Sequence, residues 1–263
     1  MDFHEIEYRE RLDSWGMSSL QSHDYYELYF LLEGKRSFFL GETMFNITGP
    51  AFCIIPPFSM HKTSGDSYKR VNINVSPRLL TDREREVLSL LAEKTAYSLD
   101  GDFGRQVISL LLAASEINLV DIDEKRQATL AFIHTLIYLL SIGNPSPIMH
   151  EAKARSEASD TRMLEVAAYI NEHYSEDISL DDISERFYIS KNSLCARFRD
   201  AMSCSVMQYL GFVRLSRAKE LLATTTKKMD EISDLCGYSS PNYFSLIFKK
   251  SVGISPSEYR KTK

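Results

Sequence analysis

No apolar run in this 263-residue chain is long enough to cross a bilayer. The longest, around Val107–Ala114 and Ile133–Leu140, suit buried helices instead. The opening residues MDFHEIEYRERLD are polar and acidic, which excludes a secretory signal. Cysteine is sparse: Cys53, Cys195, Cys204 and Cys236 show no CxxC spacing, which excludes a disulfide frame or a zinc site and suits a reducing cytoplasm. Positive charge shows no overall excess either. With 31 Lys+Arg against 36 Asp+Glu, the formal charge of −5 excludes a uniformly basic nucleic-acid binder.

The distribution of charge is less even. Residues 191–263 carry 13 Lys/Arg against 6 Asp/Glu, a surplus of +7, while the remaining residues stand at −12. A basic C-terminal segment is where phosphate contacts belong, and an acidic remainder resists nonspecific adhesion to DNA. The length allows two domains, each with its own core.

That basic segment contains the most organised stretch, Met229–Arg260. Ile232 and Leu235 share one face of a short helix that Gly237 can end, since glycine accepts the left-handed conformation. Ser240-Pro241 restarts a helix with a serine cap and proline at its first position. Tyr243, Phe244, Ile247 and Phe248 then form an apolar stripe. Gly253 ends this helix, and Ser255-Pro256-Ser257-Glu258 is a further capped start. Two short helices around a glycine-containing turn, the second rich in lysine, predict a helix-turn-helix.

The same pattern stands one unit earlier. Adding 50 maps Ser190 onto Ser240, Leu194 onto Phe244, Phe198 onto Phe248, Ser205 onto Ser255 and Tyr209 onto Tyr259. Ile183 and Ile232 differ by one less, so the two turns differ by a residue. A repeated unit is far stronger than a lone motif.

Residues from about 162 to 261 resemble the DNA-binding domain of the AraC/XylS family of bacterial transcription regulators. Ile232, Gly237-Tyr238-Ser239, Tyr243-Phe244, Phe248-Lys249-Lys250, Gly253-Ile254-Ser255-Pro256 and Tyr259-Arg260 carry the resemblance. It implies two recognition helices entering successive major grooves of double-stranded DNA, with RNA polymerase among the partners the family allows. By the family's pattern, Ser190 caps the first recognition helix, Asn192, Cys195 and Ala196 face bases, and Arg197 and Arg199 lie nearer phosphates. Ser240 caps the second, where Asn242, Tyr243 and Leu246 face bases and Lys249 and Lys250 the backbone. Ala196 and Leu246 stand where the family often has arginine, which removes bidentate guanine reading there. Tyr188 and Ser203 replace glycines usual in the first motif.

Residues 1–75 read as β structure. Tyr25–Leu32, Arg36–Leu40, Met44–Ile47, Ala51–Ile55 and Arg70–Val75 are strand-like runs broken by glycine- and proline-rich turns. The segment resembles the cupin-like sensor of AraC-type regulators, through His23, Glu27 and Gly34 at cupin spacing and Pro56-Pro57-Phe58-Ser59-Met60-His61. Phe58 stands where that pattern usually has glycine. The expected fold class is therefore α+β with two domains: a cupin-like antiparallel β-barrel followed by helices, then an all-α domain with two helix-turn-helices. The resemblance implies a small-molecule effector, a sugar or another metabolite, lined by Trp15, His23, Glu27, Tyr29 and His61. Aromatics filling a plain core fit the same pattern. Gln21 occupies the cupin's first histidine position, so no metal and no other cofactor is expected. Glu27 in an apolar interior needs a ligand, an Arg or a His as partner.

Helical periodicity follows over Arg83–Glu93, Phe103–Leu119 and Lys125–Ile142. Leu130, Ile133, Ile137 and Leu140 form a seam that fits a helix packed on the barrel or a homodimer interface; the resemblance favours the dimer. The domains expected are 1–142, a linker over 143–160, and 161–263, with helix-turn-helices at about 180–201 and 229–251. Arg214, Arg217 and Lys219 are expected on a solvated face. The whole reads as a cytoplasmic, effector-controlled, sequence-specific DNA-binding regulator without catalytic activity. Two readings remain open beside it: a metal-dependent cupin enzyme fused to a DNA reader, and a constitutive binder whose barrel only dimerises.

Overall fold

The computed structural model describes residues 4–17, 20–116, 121–148 and 158–262. The chain divides into two compact units, one formed mainly by the N-terminal half and one by the C-terminal 111 residues, Lys153–Lys263. The short piece containing Ser22 and His23 groups with the second unit, where the Ser22 and Ser216 hydroxyls lie 2.8 Å apart.

The first unit is built on antiparallel strands β1 (His4–Arg11), β2 (Trp15–Gly16), β3 (Tyr26–Leu40), β4 (Thr43–Thr48), β5 (Ala51–Ile55) and β6 (His61–Val75). Helix α1 (Asp82–Ala92), strand β7 (Tyr97–Ser98) and helices α2 (Gly101–Ser115) and α3 (Ile122–Ile142) follow. The strand order is β1-β6-β3-β5-β7, with β2 against β6 and β4 against β3. Among the described residues this path stays open: β7 is only two residues long, pairing with β5 on one side and meeting Pro147 on the other through a single bridge. A closed cupin-like barrel is thus not what the pairing displays.

Three expected strand boundaries change. His4–Arg11 is a full strand against β6, although its sequence reads as polar. Tyr25–Leu32 and Arg36–Leu40 are one strand, and Arg70–Val75 is the end of another that begins at His61. Gly41 and Gly49 stand in turns as expected, whereas Gly34 and Gly65 lie inside these strands, at the bulge where the β3–β6 register shifts. Gly34 has φ +99°, and a Cβ there would lie 2.2 Å from the Ser67 carbonyl oxygen. Gly65 would place one 2.5 Å from the Lys35 oxygen. Only glycine lets the two strands cross this closely. Phe58 adopts φ +64°, the left-handed conformation of the glycine it replaces.

Alternation along β3 separates two cores. Leu28 and Phe30, with Phe52, Ile54, Val71 and Ile73, face α1–α3. Tyr29 and Leu31, with Phe38, Phe45, Ile47, Cys53 and Tyr68, form the inner face of the curled sheet. Ile133, Leu136, Ile137 and Leu140 of α3 are all buried in the first of these cores. Ile133, Ile137 and Leu140, three of the four residues of the expected seam, are therefore covered within their own protomer, while Leu130 is only half-buried. Ser146 and Ile148, read as the start of a linker, are stitched to the segment at β7 by Ser98 N–H to Ser146 O (3.0 Å) and Ile148 N–H to Ala96 O (2.8 Å). The rest of the expected linker lies mostly outside the described residues.

The second unit is all helix: α4 (Ala158–His173), α5 (Leu180–Arg186), α6 (Lys191–Met202), α7 (Val206–Thr224), α8 (Met229–Leu235), α9 (Pro241–Val252) and α10 (Pro256–Lys261). Reciprocal capping boxes start α5 (Ser179, Asp182), α7 (Ser205, Gln208) and α10 (Ser255, Glu258). Each satisfies orphaned N–H groups at a helix start. The Asp182 and Glu258 carboxylates are held below their usual range by these serine hydroxyls and backbone N–H groups.

Candidate nucleic-acid interface and the polar face of the sheet

α5–α6 and α8–α9 are two copies of one helix-turn-helix. Leu194 and Phe198 on α6 occupy the places of Phe244 and Phe248 on α9, and all four are 0% exposed. Tyr259 stacks edge-on against Phe248 at 5.4 Å, as Tyr209 does on Phe198 at 5.5 Å. Ser190 and Ser240 cap the two helices, accepting from the N–H groups of Ser193 and Tyr243. The left-handed residues repeat as well: Tyr188 (φ 51°) matches Gly237 (φ 71°), and Ser203 (φ 58°) matches Gly253 (φ 90°). The first motif keeps its turn geometry without glycine, at an expected strain of about 1 kcal/mol per residue.

The inward anchors leave a matching outward face. Asn192, Ala196 and Arg199 are exposed on α6, with Cys195 and Arg197 half-buried; Asn242, Tyr243, Leu246, Lys249 and Lys250 are exposed on α9. Tyr243 is 50% exposed and so leaves the apolar stripe assigned to it; its ring leans on Tyr238 instead. All four cysteines are free, and Cys195 is the least enclosed. Burial raises the Cys53 thiol well above its usual range and Cys236 to about 12.

The motifs are tied through the segment after α4. Arg214 on α7 donates from Nε to the Tyr174 carbonyl (2.7 Å) and from Nη2 to that of Glu176 (2.8 Å). Gly237, in the second turn, packs so closely on the Tyr174 and Ser175 carbonyls that a Cβ would lie 2.8 Å from each oxygen. The solvated role expected for Arg214 is thus replaced by a structural one. Arg217 is exposed, beside Glu220 (3.1 Å) and over the Tyr174 ring (5.8 Å). Arg214→Met is expected to lower stability by about 2 kcal/mol, because two charge-assisted bonds are lost, one to a part-buried carbonyl and one to an exposed one. Urea unfolding followed by helical circular dichroism checks this; a midpoint unchanged from wild type would show the contacts to be incidental.

The inner face of the sheet holds the other predicted residues. Trp15 and Tyr29 line it. Glu27 meets both partners its burial demands: Asn72 Nδ2 donates to Oε1 at 2.6 Å, and His61 Nε2 lies 3.6 Å from Oε2. His23 belongs to the piece grouped with the helical unit, so the first unit by itself supplies Glu27, His61, Trp15 and Tyr29. Several residues had not been singled out. Arg36, Thr63, Arg70 and Asn72 are each less than a tenth exposed, alongside His61. Arg70 donates to Glu7 Oε2 (2.9 Å) and lies over the Tyr29 ring (5.3 Å). The alternation Arg70-Val71-Asn72-Ile73-Asn74-Val75 was the available signal: its apolar members face the helices, which turns its polar members inward.

Two capped helix-turn-helices in tandem define a DNA-binding type of module. Residues 183–262 match the family described as "Helix-turn-helix domain". YisR of Bacillus subtilis, an uncharacterised HTH-type transcriptional regulator, is 34% identical over 114 residues, which are 43% of this chain and 40% of that protein. The xylose operon regulatory protein of Escherichia coli is 32% identical over 102 residues, 39% of this chain and 26% of that one. The HTH-type transcriptional activator RhaR of Mannheimia succiniciproducens is 26% identical over 246 residues, 92% and 86% of the two chains. Residues 183–262 are thus an AraC-type helix-turn-helix domain, of the kind found in transcription regulators. The matched stretch spans less than half of YisR and about a quarter of the xylose regulator. No helix among the described residues is long and apolar enough to cross a membrane.

Proposed function

We propose that the protein is a sequence-specific regulator that reads double-stranded DNA with α6 and α9 and responds to a small molecule held on the inner face of its sheet. One observation carries the DNA reading: the two helices bury the same positions and expose the same face, one repeat apart. Asn192 and Asn242 suit adenine, and Ala196 and Leu246 suit the thymine methyl. Arg197, Arg199, Lys249 and Lys250 supply phosphate contacts. The relatives described as xylose operon regulatory protein and transcriptional activator support an effector-controlled, non-catalytic role, with a sugar or another metabolite as effector and RNA polymerase as a partner. The reading includes a cytoplasmic homodimer, for which Leu110, Tyr138 and Ile142 give α2 and α3 an exposed apolar surface.

The test is footprinting on operators selected from random DNA. Each protomer should protect two major-groove segments about 10 bp apart, one helical turn. Lys249→Ala and Lys250→Ala should weaken binding to all sequences alike, each lowering the salt slope by about 1. An unchanged slope with altered base preference would reassign that lysine to base reading, and a single protected segment would make one motif a structural copy.

A further inference from the structure

We propose that the inner face of the sheet binds a small carboxylate-bearing molecule, with Arg36 as the group that holds its two oxygens. The inference rests on the reading of this face as the effector site, and it names the effector's chemistry.

Arg36 lies on β3 and is 1% exposed. Its Nη1 donates to the Trp15 carbonyl at 2.8 Å. Its Nε and Nη2 are buried and meet no carboxylate or carbonyl among the described residues, although the Tyr29 phenol oxygen stands close enough to help hold the charge. Those two nitrogens share one edge of the guanidinium, the edge whose parallel N–H bonds match a carboxylate. The guanidinium is fixed in place by aromatic faces, 4.6 Å from the Tyr68 ring centre and 5.5 Å from that of Trp15.

No carboxylate pairs with this charge among the described residues. Among the acidic side chains near this face, Glu27 is taken by Asn72 and His61, and Glu7 by Arg70. Burial accordingly pulls the Arg36 pKa down, opposed by the neighbouring Tyr29 and Tyr68 phenols. A buried cation without a partner is strongly unfavourable and is seldom kept for stability alone. On the same face the Tyr68 and Thr63 hydroxyls are buried without a partner among the described residues, and the Tyr29 hydroxyl faces Arg36. They can donate to an anion's remaining lone pairs or meet hydroxyls elsewhere on the ligand. A neutral sugar would satisfy the hydroxyls and leave the charge uncompensated. A carboxylate satisfies both.

Trp15 is the chain's single tryptophan and stands beside Arg36, so its fluorescence reports occupancy directly. The full-length protein would be titrated at constant ionic strength with hexanoate, D-glucuronate, their neutral counterparts hexanamide and D-glucose, and inorganic phosphate. At least one carboxylate should give a saturable change, at least tenfold tighter than its neutral counterpart. Arg36→Gln should lose at least tenfold, and Arg36→Lys, with charge but no fork, should fall between. Ligand-free Arg36→Met should melt at or above the wild-type temperature, because an uncompensated cation has been removed. Equal binding of D-glucose and D-glucuronate would overturn the carboxylate assignment and leave the effector reading intact. Saturation by phosphate alone would overturn it too. Silence toward all five probes, or a clearly lower melting temperature in Arg36→Met, would make Arg36 a structural residue; the DNA-binding reading, tested by footprinting, survives either result.

Discussion

Gly34→Ala is expected to destabilise the sheet unit by on the order of 4 kcal/mol, a large fraction of a typical domain's stability. Two penalties combine. The residue sits at φ +99°, where an L side chain is strained whatever the space around it. Its new methyl would also lie 2.2 Å from the Ser67 carbonyl oxygen and 3.0 Å from the Tyr68 Cα, both backbone atoms that cannot swing aside. Relief requires β3 and β6 to part at the bulge, which disturbs the inner face on which Arg36 and Tyr68 lie. Gly41→Ala is the control: its φ is +61°, but nothing lies within 4 Å of the added carbon, so only the backbone strain of about 1 kcal/mol remains. Urea unfolding read by Trp15 fluorescence separates the two. Equal midpoints for both variants would show that the strand crossing yields easily.

The contrast between these glycines also marks how far the sequence could be read. Glycine and proline punctuation located Gly34 and Gly65, but a turn and a bulge both require glycine's freedom. Only the pairing partner distinguishes them, and that partner is remote in sequence. β1 was missed for a related reason. Its polar side chains are supported by cross-strand partners, such as Arg70 for Glu7, rather than by an apolar pattern. The helical unit was legible nearly residue by residue, because its helices carry local signals: serine caps, capping boxes, left-handed stops and a repeat that can be checked against itself. Its one misread charge, Arg214, looks like any surface arginine until the chain returns at Tyr174 and Glu176. On the sheet, cupin-like spacing pointed to Glu27 and His61, which lie 3.6 Å apart, but not to Arg36. Nothing in Gly34-Lys35-Arg36-Ser37 tells which of the two cations turns inward; the bulge at Gly34 decides it.

Gly237→Ala and Tyr188→Gly, at matching positions of the two motifs, should act with opposite signs. Both residues are left-handed, at φ 71° and 51°. Tyr188 is 91% exposed, so its side chain contributes little and the strain dominates. Glycine there should stabilise the helical unit by roughly 0.5–1 kcal/mol, the relief of left-handed strain less the extra entropy glycine has in the unfolded chain. Gly237→Ala adds a methyl 2.8 Å from the oxygens of both Tyr174 and Ser175, and Tyr174 O is already the acceptor for Arg214. Displacing that segment loosens the tie between the motifs, so a loss of about 3 kcal/mol is expected. The functional effect follows from the same geometry. If α6 and α9 reach neighbouring grooves only while the Tyr174–Glu176 segment holds α7 and the second turn together, Gly237→Ala should abolish the protection contributed by α9 and spare that of α6. Tyr188→Gly should leave both protected segments in place. Thermal melts and footprints of the two full-length variants test both halves. A Gly237→Ala protein that melts several degrees lower yet still protects two segments would mean that the DNA itself restores the spacing, with the segment after α4 serving stability alone.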